Sequence, residues 1–276
     1  MTPSELVQRL RASGSVFAEE EAALLLAEAS DAASLEAMTA QRVQGEPLEQ
    51  IVGWAEFDGM RFVVEPGVFV PRHRSEFLVE RAAALGRRGA VVLDLCCGIG
   101  ALGLAVRARL GDAELHCTDV DPAEVRCARR NVGANGSVYE GDLYASLPDT
   151  LGGRVELLLA NAPYVPSGEL RLMPPEAREH EHPVALDGGV DGLAVHRRAI
   201  AGAPAWLAPG GRVLIELSAE QAVIAASMMR EVGLLAEIVT EEDDDGDETT
   251  VVIGTSVIGT VVIGTVVMGT VVTGTR

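Results

Sequence analysis

The chain has 276 residues, enough for one α/β domain of ordinary size and a small appendage. A hydrophobic fraction of 48% with few aromatics fits a globular protein, and no apolar run approaches the roughly 20 residues that span a bilayer, so no membrane association is expected. The formal net charge of −19 gives a field that repels phosphate backbones, which argues against nucleic acid as the main partner.

Met1 to Glu5 lacks the basic segment and apolar core of a secretion signal, so a cytoplasmic location is expected. Thr2, Pro3 and Glu5 spell an N-cap, a proline at the first helical position and the glutamate of a capping box. A helix should start there, with Leu6, Val7 and Leu10 on its apolar stripe. Further helices over Glu19 to Ala29 and Ser34 to Val43 complete a small helical domain, residues 1–50. Residues 51–75 read as a β-hairpin linker, because Phe57, Phe62, Val64 and Val68 are spaced by glycines and prolines. A helix through Phe77, Leu78, Ala82 and Leu85 then opens the large domain, residues 76–255.

From Ala90 strands and helices alternate: strand Val91–Leu95, helix Leu102–Arg109, strand Glu114–Thr118, helix Ala123–Val132, a short strand near Val138–Glu140, and strand Val155–Ala160. Such alternation means parallel strands with crossover helices. A helix around Leu193–Leu207, strand Arg212–Leu217, helix Ala219–Glu231 and strands Leu234–Val239 and Thr249–Ile253 follow. The acidic run Glu241–Glu248 reads as a solvated hairpin loop between the last two strands. Val251-Val252-Ile253-Gly254-Thr255 is then followed by near copies as far as Thr275. A period of five suits neither strand nor helix, so only the first copy is expected in the core, and residues 256–276 read as a dispensable low-complexity tail.

Cys96, Cys97, Cys117 and Cys127 show no Cys-x-x-Cys spacing and no histidine cluster, so reduced thiols are expected and no metal. His180 and His182, among Glu179 and Glu181, read as a solvated polar loop, and His73 as a surface histidine. Glu216, at a strand end, could touch the substrate segment or bond to backbone.

The chemistry concentrates at strand ends. Asp94-Leu95-Cys96-Cys97-Gly98-Ile99-Gly100 joins a strand to a helix, and its glycines let a ligand approach the backbone. Gly98 and Gly100 are the expected floor, with Cys96 beside them. With Gly103 the turn also fits a dinucleotide fingerprint. Asp94 favours S-adenosylmethionine, since it could receive a methionine ammonium that nicotinamide cofactors lack. Asp119 ends the next strand in a place suited to ribose hydroxyls, and Asp142 follows the third, where it could accept from an adenine amino group. Asn161-Ala162-Pro163-Tyr164 follows a later strand and can grip a planar amino group: the Asn161 side-chain oxygen and Ala162 carbonyl accept its two N–H groups, and Tyr164 packs on its face. Methyl transfer to an amide or base nitrogen follows.

Gly45-Glu46-Pro47-Leu48, Phe57-Asp58-Gly59, Pro66 to Arg72, the Asp94–Gly100 turn and Asn161–Tyr164 occur in an order that resembles the HemK-type protein-(glutamine N5) methyltransferases. The likeness covers roughly Gly45 to Gly254. It implies a Rossmann-like class I fold with a seven-stranded, mostly parallel sheet behind a helical domain, acting on the glutamine of the Gly-Gly-Gln motif in peptide-chain release factors. By position, Gly98, Asp119 and Asp142 would hold S-adenosylmethionine, and Asn161, Ala162 and Tyr164 the glutamine amide. Three departures stand out. Ala162 replaces a proline, His73-Arg74-Ser75 replaces proline, an acid and threonine, and the helical domain is short. Methylation of an exocyclic amine in DNA or RNA, a non-catalytic binding role and nicotinamide redox chemistry are the competing readings.

Overall fold

The computed structural model describes residues 1–242 and 248–257. The chain begins with three helices, α1 (Pro3–Ala12), α2 (Ala18–Glu28) and α3 (Ala32–Val43). Thr2 and Glu5 form the expected capping box on α1. Leu6, Leu10, Ala18, Ala22, Leu25 and Leu35 give this unit a core of its own. A short helix that the sequence pattern did not announce, α4 (Leu48–Val52), ends at Gly53 in a left-handed conformation. The hairpin that follows, β1 (Trp54–Phe57) and β2 (Met60–Val63), is shorter than expected, and Glu65 to Arg72 runs on as an irregular strap that turns at Gly67 and touches Glu181 through an isolated bridge.

After α5 (Glu76–Leu85) come β3 (Ala90–Leu95), α6 (Ala101–Leu110), β4 (Ala113–Asp119), α7 (Pro122–Val132), β5 (Gly136–Glu140) and β6 (Val155–Ala160). Then follow α8 (Pro175–His180), also unforeseen, α9 (Ala194–Trp206), β7 (Leu207–Leu217), α10 (Ala219–Glu231), β8 (Leu234–Glu242) and β9 (Glu248–Ser256). Strands β3 to β9 form one seven-stranded sheet in the order β5-β4-β3-β6-β7-β9-β8, in which β9 alone runs against the others. This is the expected Rossmann-like class I architecture. β9 carries the first pentapeptide copy, while the repeats from Ile258 onward and the middle of the acidic run lie outside the described residues.

Both faces of the sheet are covered, which explains why β3 and β6 are largely apolar and buried along their length rather than alternating. One core packs α5, α6 and α7 against Val92, Leu115, Leu157 and Leu159, and the other packs α9 and α10 against Leu93, Leu158, Val213 and Ile215. Each fully buried Leu or Ile side chain contributes about 1.5–3 kcal/mol relative to exposure, so the two cores fix the sheet firmly. The parallel registers matter most for function. Leu95 pairs with both Thr118 and Ala160, Asp119 with Glu140, and Ala160 with Ile215, so five strand ends emerge along one edge.

Candidate active site

That edge is hollowed into a cavity of about 310 Å³. Its wall includes Cys96, Gly98, Asp119, Asp142, Asn161, Ala162, Pro163 and Tyr164. Eight residues singled out from the sequence are thus brought together by neighbouring strand ends. Two are not. Asp94 is 1% exposed, and its Oδ2 accepts from Gly103 N–H at 2.8 Å. Gly100 caps α6 with a left-handed φ of 83°. Neither lines the cavity, and both shape the turn.

The turn is tied to its neighbour by Gly98 N–H, which donates to Asp119 Oδ2 at 2.9 Å, while Asp119 Oδ1 accepts from Asp121 N–H at 2.9 Å. Cys96 holds a left-handed backbone, φ 54°, which for a residue with a Cβ costs about 1–2 kcal/mol. The other three cysteines are buried and all four are free thiols.

Residues the sequence reading passed over complete the wall. Phe69, Asp121, Glu124 and Arg198 line the cavity, and Arg198 Nη2 donates to Asp142 Oδ2 at 2.6 Å. The strap is clamped across the mouth. Phe69 N–H donates to Glu124 Oε1 at 2.5 Å, Val70 N–H to Glu181 Oε1 at 3.4 Å, and Gln50 bonds both Gly67 N–H and the Val68 carbonyl. Arg72 donates to Glu181 at 2.6 Å, and His182 Nδ1 lies 2.5 Å from Asp121 Oδ2. The solvated polar loop expected at 179–182 is therefore a docking segment, with Glu181 buried against the strap. Nothing local in the sequence announces such long-range pairs. His73 is exposed and bonds Glu76 at 2.9 Å, as a surface histidine would.

Crowded acids set the electrostatics. Burial pushes Asp119 up to about 6 against the N–H bonds it accepts, and Asp94 up to about 7. Burial, reinforced by the charges of Asp119, Asp121 and Glu181, pushes Glu124 up to about 9, against the Phe69 N–H bond. Glu124 Oε2 is buried with no hydrogen-bond partner among the described residues. A wall so rich in acids suits a ligand that brings positive charge and hydroxyl donors, and opposes the pyrophosphate of a dinucleotide.

On the acceptor side Asn161 Nδ2 donates to Ser75 Oγ at 3.0 Å, leaving Oδ1 free to accept. The Tyr164 carbonyl accepts from Gln221 Nε2 at 2.8 Å. At Gly192, φ 75°, a Cβ would collide with that same carbonyl, so only glycine lets the turn close here. The Tyr164 hydroxyl accepts from Arg74, whose Nε donates to buried Glu216 at 3.3 Å.

A family described as "Methyltransferase small domain" matches residues 59–173. The release factor glutamine methyltransferase of Geobacter sulfurreducens is 36% identical over 222 residues, 79% of this chain and 77% of that one. The release factor glutamine methyltransferase of Cereibacter sphaeroides is 37% identical over 80% of this chain and 78% of its own. This chain belongs to the release factor glutamine methyltransferase family. The methyltransferase is also 37% identical to a 4-amino-L-phenylalanine/4-methylamino-L-phenylalanine methyltransferase of Streptomyces pristinaespiralis, over 70% of this chain and 68% of that one. Among solved structures, a Pyrococcus furiosus methyltransferase matches with a TM-score of 0.56 at 17% identity, covering 72% of this chain and 90% of that one. A T. thermophilus 16S rRNA methyltransferase in complex with AdoMet and guanosine matches with a TM-score of 0.51 at 22% identity, over 74% of this chain and 49% of that one. These two share the fold.

S-adenosylmethionine is the cofactor of the family, and the cavity of this methyltransferase fits it. Gly98 offers a floor without a Cβ, the carboxylates can accept from hydroxyl, amino and ammonium groups, and the acid-rich wall complements a sulfonium.

Proposed function

We propose that this methyltransferase transfers the methyl group of S-adenosylmethionine to the side-chain amide nitrogen of the Gly-Gly-Gln glutamine in a peptide-chain release factor. The observation that carries the reading is the pairing of Leu95 with Ala160, because it makes the Gly98 turn and the Asn161 turn leave adjoining strand tips. When bound, the donor supplies an electrophilic methyl carbon on a sulfonium. Gly98, Cys96, Asp119 and Asp142 line its place, with Asp94 and Gly100 holding the turn from behind.

The amide nitrogen is a weak nucleophile because its lone pair is delocalised into the carbonyl. Asn161 Oδ1 and the Ala162 carbonyl, neither of which accepts a hydrogen bond among the described residues, take its two N–H groups and aim the lone pair into the cavity. Pro163 stiffens the turn and Tyr164 packs on the flat face of the amide. Placement of the reacting atoms at about 3–3.5 Å supplies much of the rate without a strong base. Residues 1–50 form a helical docking unit, 51–75 a linker and 76–255 the methyltransferase domain. The two ends are bridged by Arg42, which reaches both Glu21 and Glu176.

The relatives' acceptors support this reading, and the negative charge of the chain supports protein over nucleic acid. Labelled donor offered in parallel to release factor, to RNA, to DNA and to free 4-aminophenylalanine tests it. Mass spectrometry should find one added methyl on the Gly-Gly-Gln peptide. Label confined to nucleic acid or to the free amino acid would overturn the assignment.

A further inference from the structure

Asn161 and Tyr164, the two ends of the acceptor turn, are joined by a route outside the turn itself. Asn161 Nδ2 donates to Ser75 Oγ, and Ser75 is 1% exposed. A hydroxyl that accepts still has one proton to give. Glu216 is the carboxyl beside it, 3% exposed, and its buried Oε2 has no hydrogen-bond partner among the described residues, which leaves it open to that proton. Glu216 Oε1 accepts from Arg74 Nε, and Arg74 Nη2 donates to the Tyr164 hydroxyl. Ser75 and Arg74 share the short 3-10 turn His73–Ser75, while Glu216 comes from β7, so three separate elements meet here.

The sense of this chain of bonds has a chemical consequence. An asparagine amide can turn over with little change of shape, and turned over it would offer N–H to an acceptor amide that also offers N–H. A carboxylate can only accept. Burial raises the Glu216 carboxyl overall, opposed only in part by Ser75 and the Arg74 guanidinium. Ser75 Oγ accepts from Asn161 Nδ2, so its own proton is left for Glu216, and Asn161 Oδ1 is left free to accept on the cavity side.

We propose that Ser75, Glu216 and Arg74 are positioning residues of the acceptor grip, a polarised relay that sets the Asn161 amide with its oxygen toward the incoming nitrogen and anchors the Tyr164 ring at the other end. Arg74, in the 3-10 turn that follows the strap, gives the buried Glu216 a cationic partner. The proposal rests on Asn161 being the acceptor grip.

The test uses the full chain with Ser75→Ala, Ser75→Thr and Glu216→Gln. Ser75→Ala should lower kcat about 10²-fold, the cost of a misplaced reacting group. Donor affinity by calorimetry should stay at its wild-type value. Ser75→Thr keeps the hydroxyl and should restore kcat. Glu216→Gln can donate to Ser75, reverses the polarity, and should lose kcat as Ser75→Ala does. Independently of any acceptor, the Asn161 side-chain amide signals in a nitrogen-15 spectrum, identified by their loss in Asn161→Asp, should be protected from exchange in wild type and exposed in Ser75→Ala. Wild-type kcat in Ser75→Ala together with an undisturbed Asn161 signal would overturn the relay. So would parallel losses of donor affinity and kcat that threonine does not rescue. If wild-type protein methylates no release factor, the acceptor assignment fails, and the Asn161 signal alone then decides the relay.

Discussion

The Glu124 carboxyl accepts the Phe69 N–H at 2.5 Å, latching the strap over the donor cavity to the first turn of α7. The latch is a carboxyl whose second oxygen has no partner among the described residues, and burial pushes it up to about 9. Because the folded value lies above the unfolded one, the native state binds the extra proton. Its stability contribution is full below about 4.5 and lost as pH climbs toward about 9. Glu124→Gln keeps an oxygen for Phe69 without an ionisable proton. We expect its melting temperature to match wild type near pH 5 and to exceed it increasingly toward pH 8, by about 2–4 °C for each kcal/mol. Parallel scans at the two values check this, and a constant offset would exclude ionisation of Glu124 as the cause.

Asn161→Ala removes a side-chain oxygen from the acceptor side alone, since the residue makes no bond to the Gly98 turn. Turnover should fall by about 10²-fold or more, while the donor dissociation constant stays near its wild-type value. Calorimetry with donor and a single-turnover assay read the two separately. A matching loss in both would mean that Asn161 supports the fold.

Gly103→Ala tests the turn from behind. A Cβ there would lie 2.8 Å from Leu115 Cδ1 and 3.0 Å from Asp94 Oδ2, displacing the carboxylate that accepts Gly103 N–H. Overpacking of this kind costs about 1–3 kcal/mol. Chemical denaturation should show that loss, and donor affinity should drop with it because the glycine turn moves.

Arg42 is 11% exposed and pairs with Glu21, itself 9% exposed, at 2.7 Å and with Glu176 at 2.5 Å. Its guanidinium is buried, yet the two carboxylates more than compensate and hold it charged. Removing one partner of such a pair costs about 3–5 kcal/mol, because the other is left uncompensated. Arg42→Ala should therefore loosen the helical unit from α8. Limited proteolysis should cut near residues 44–53 faster than in wild type, with the catalytic domain still able to bind donor.

Much of the large domain could be read from local pattern, because β3 and β6 are short, largely apolar runs closed by a turn signal, and the crossover helix α7 carries its own N-cap in Asp121. The helices α4 and α8 escaped because they are five and six residues long, too short for a 3.6-residue period to register. Glu124, Glu181 and Arg74 escaped for another reason. Glu and Arg in isolation look like solvated surface, and only partners 55, 109 and 142 residues away turn them into a latch, a clamp and a relay.

What the sequence by itself determined was the set of strand-end residues, Gly98, Asp119, Asp142 and Asn161 to Tyr164, because parallel strands joined by crossover helices must place those ends on one edge. The tertiary structure alone decided which of them face the cavity, that Asp94 and Gly100 stand behind it, and that a strap held by Gln50, Glu124 and Glu181 roofs it. Backbone periodicity is local and survives in one dimension. The burial of a carboxyl, and hence its charge and its partners, is a property of everything packed around it.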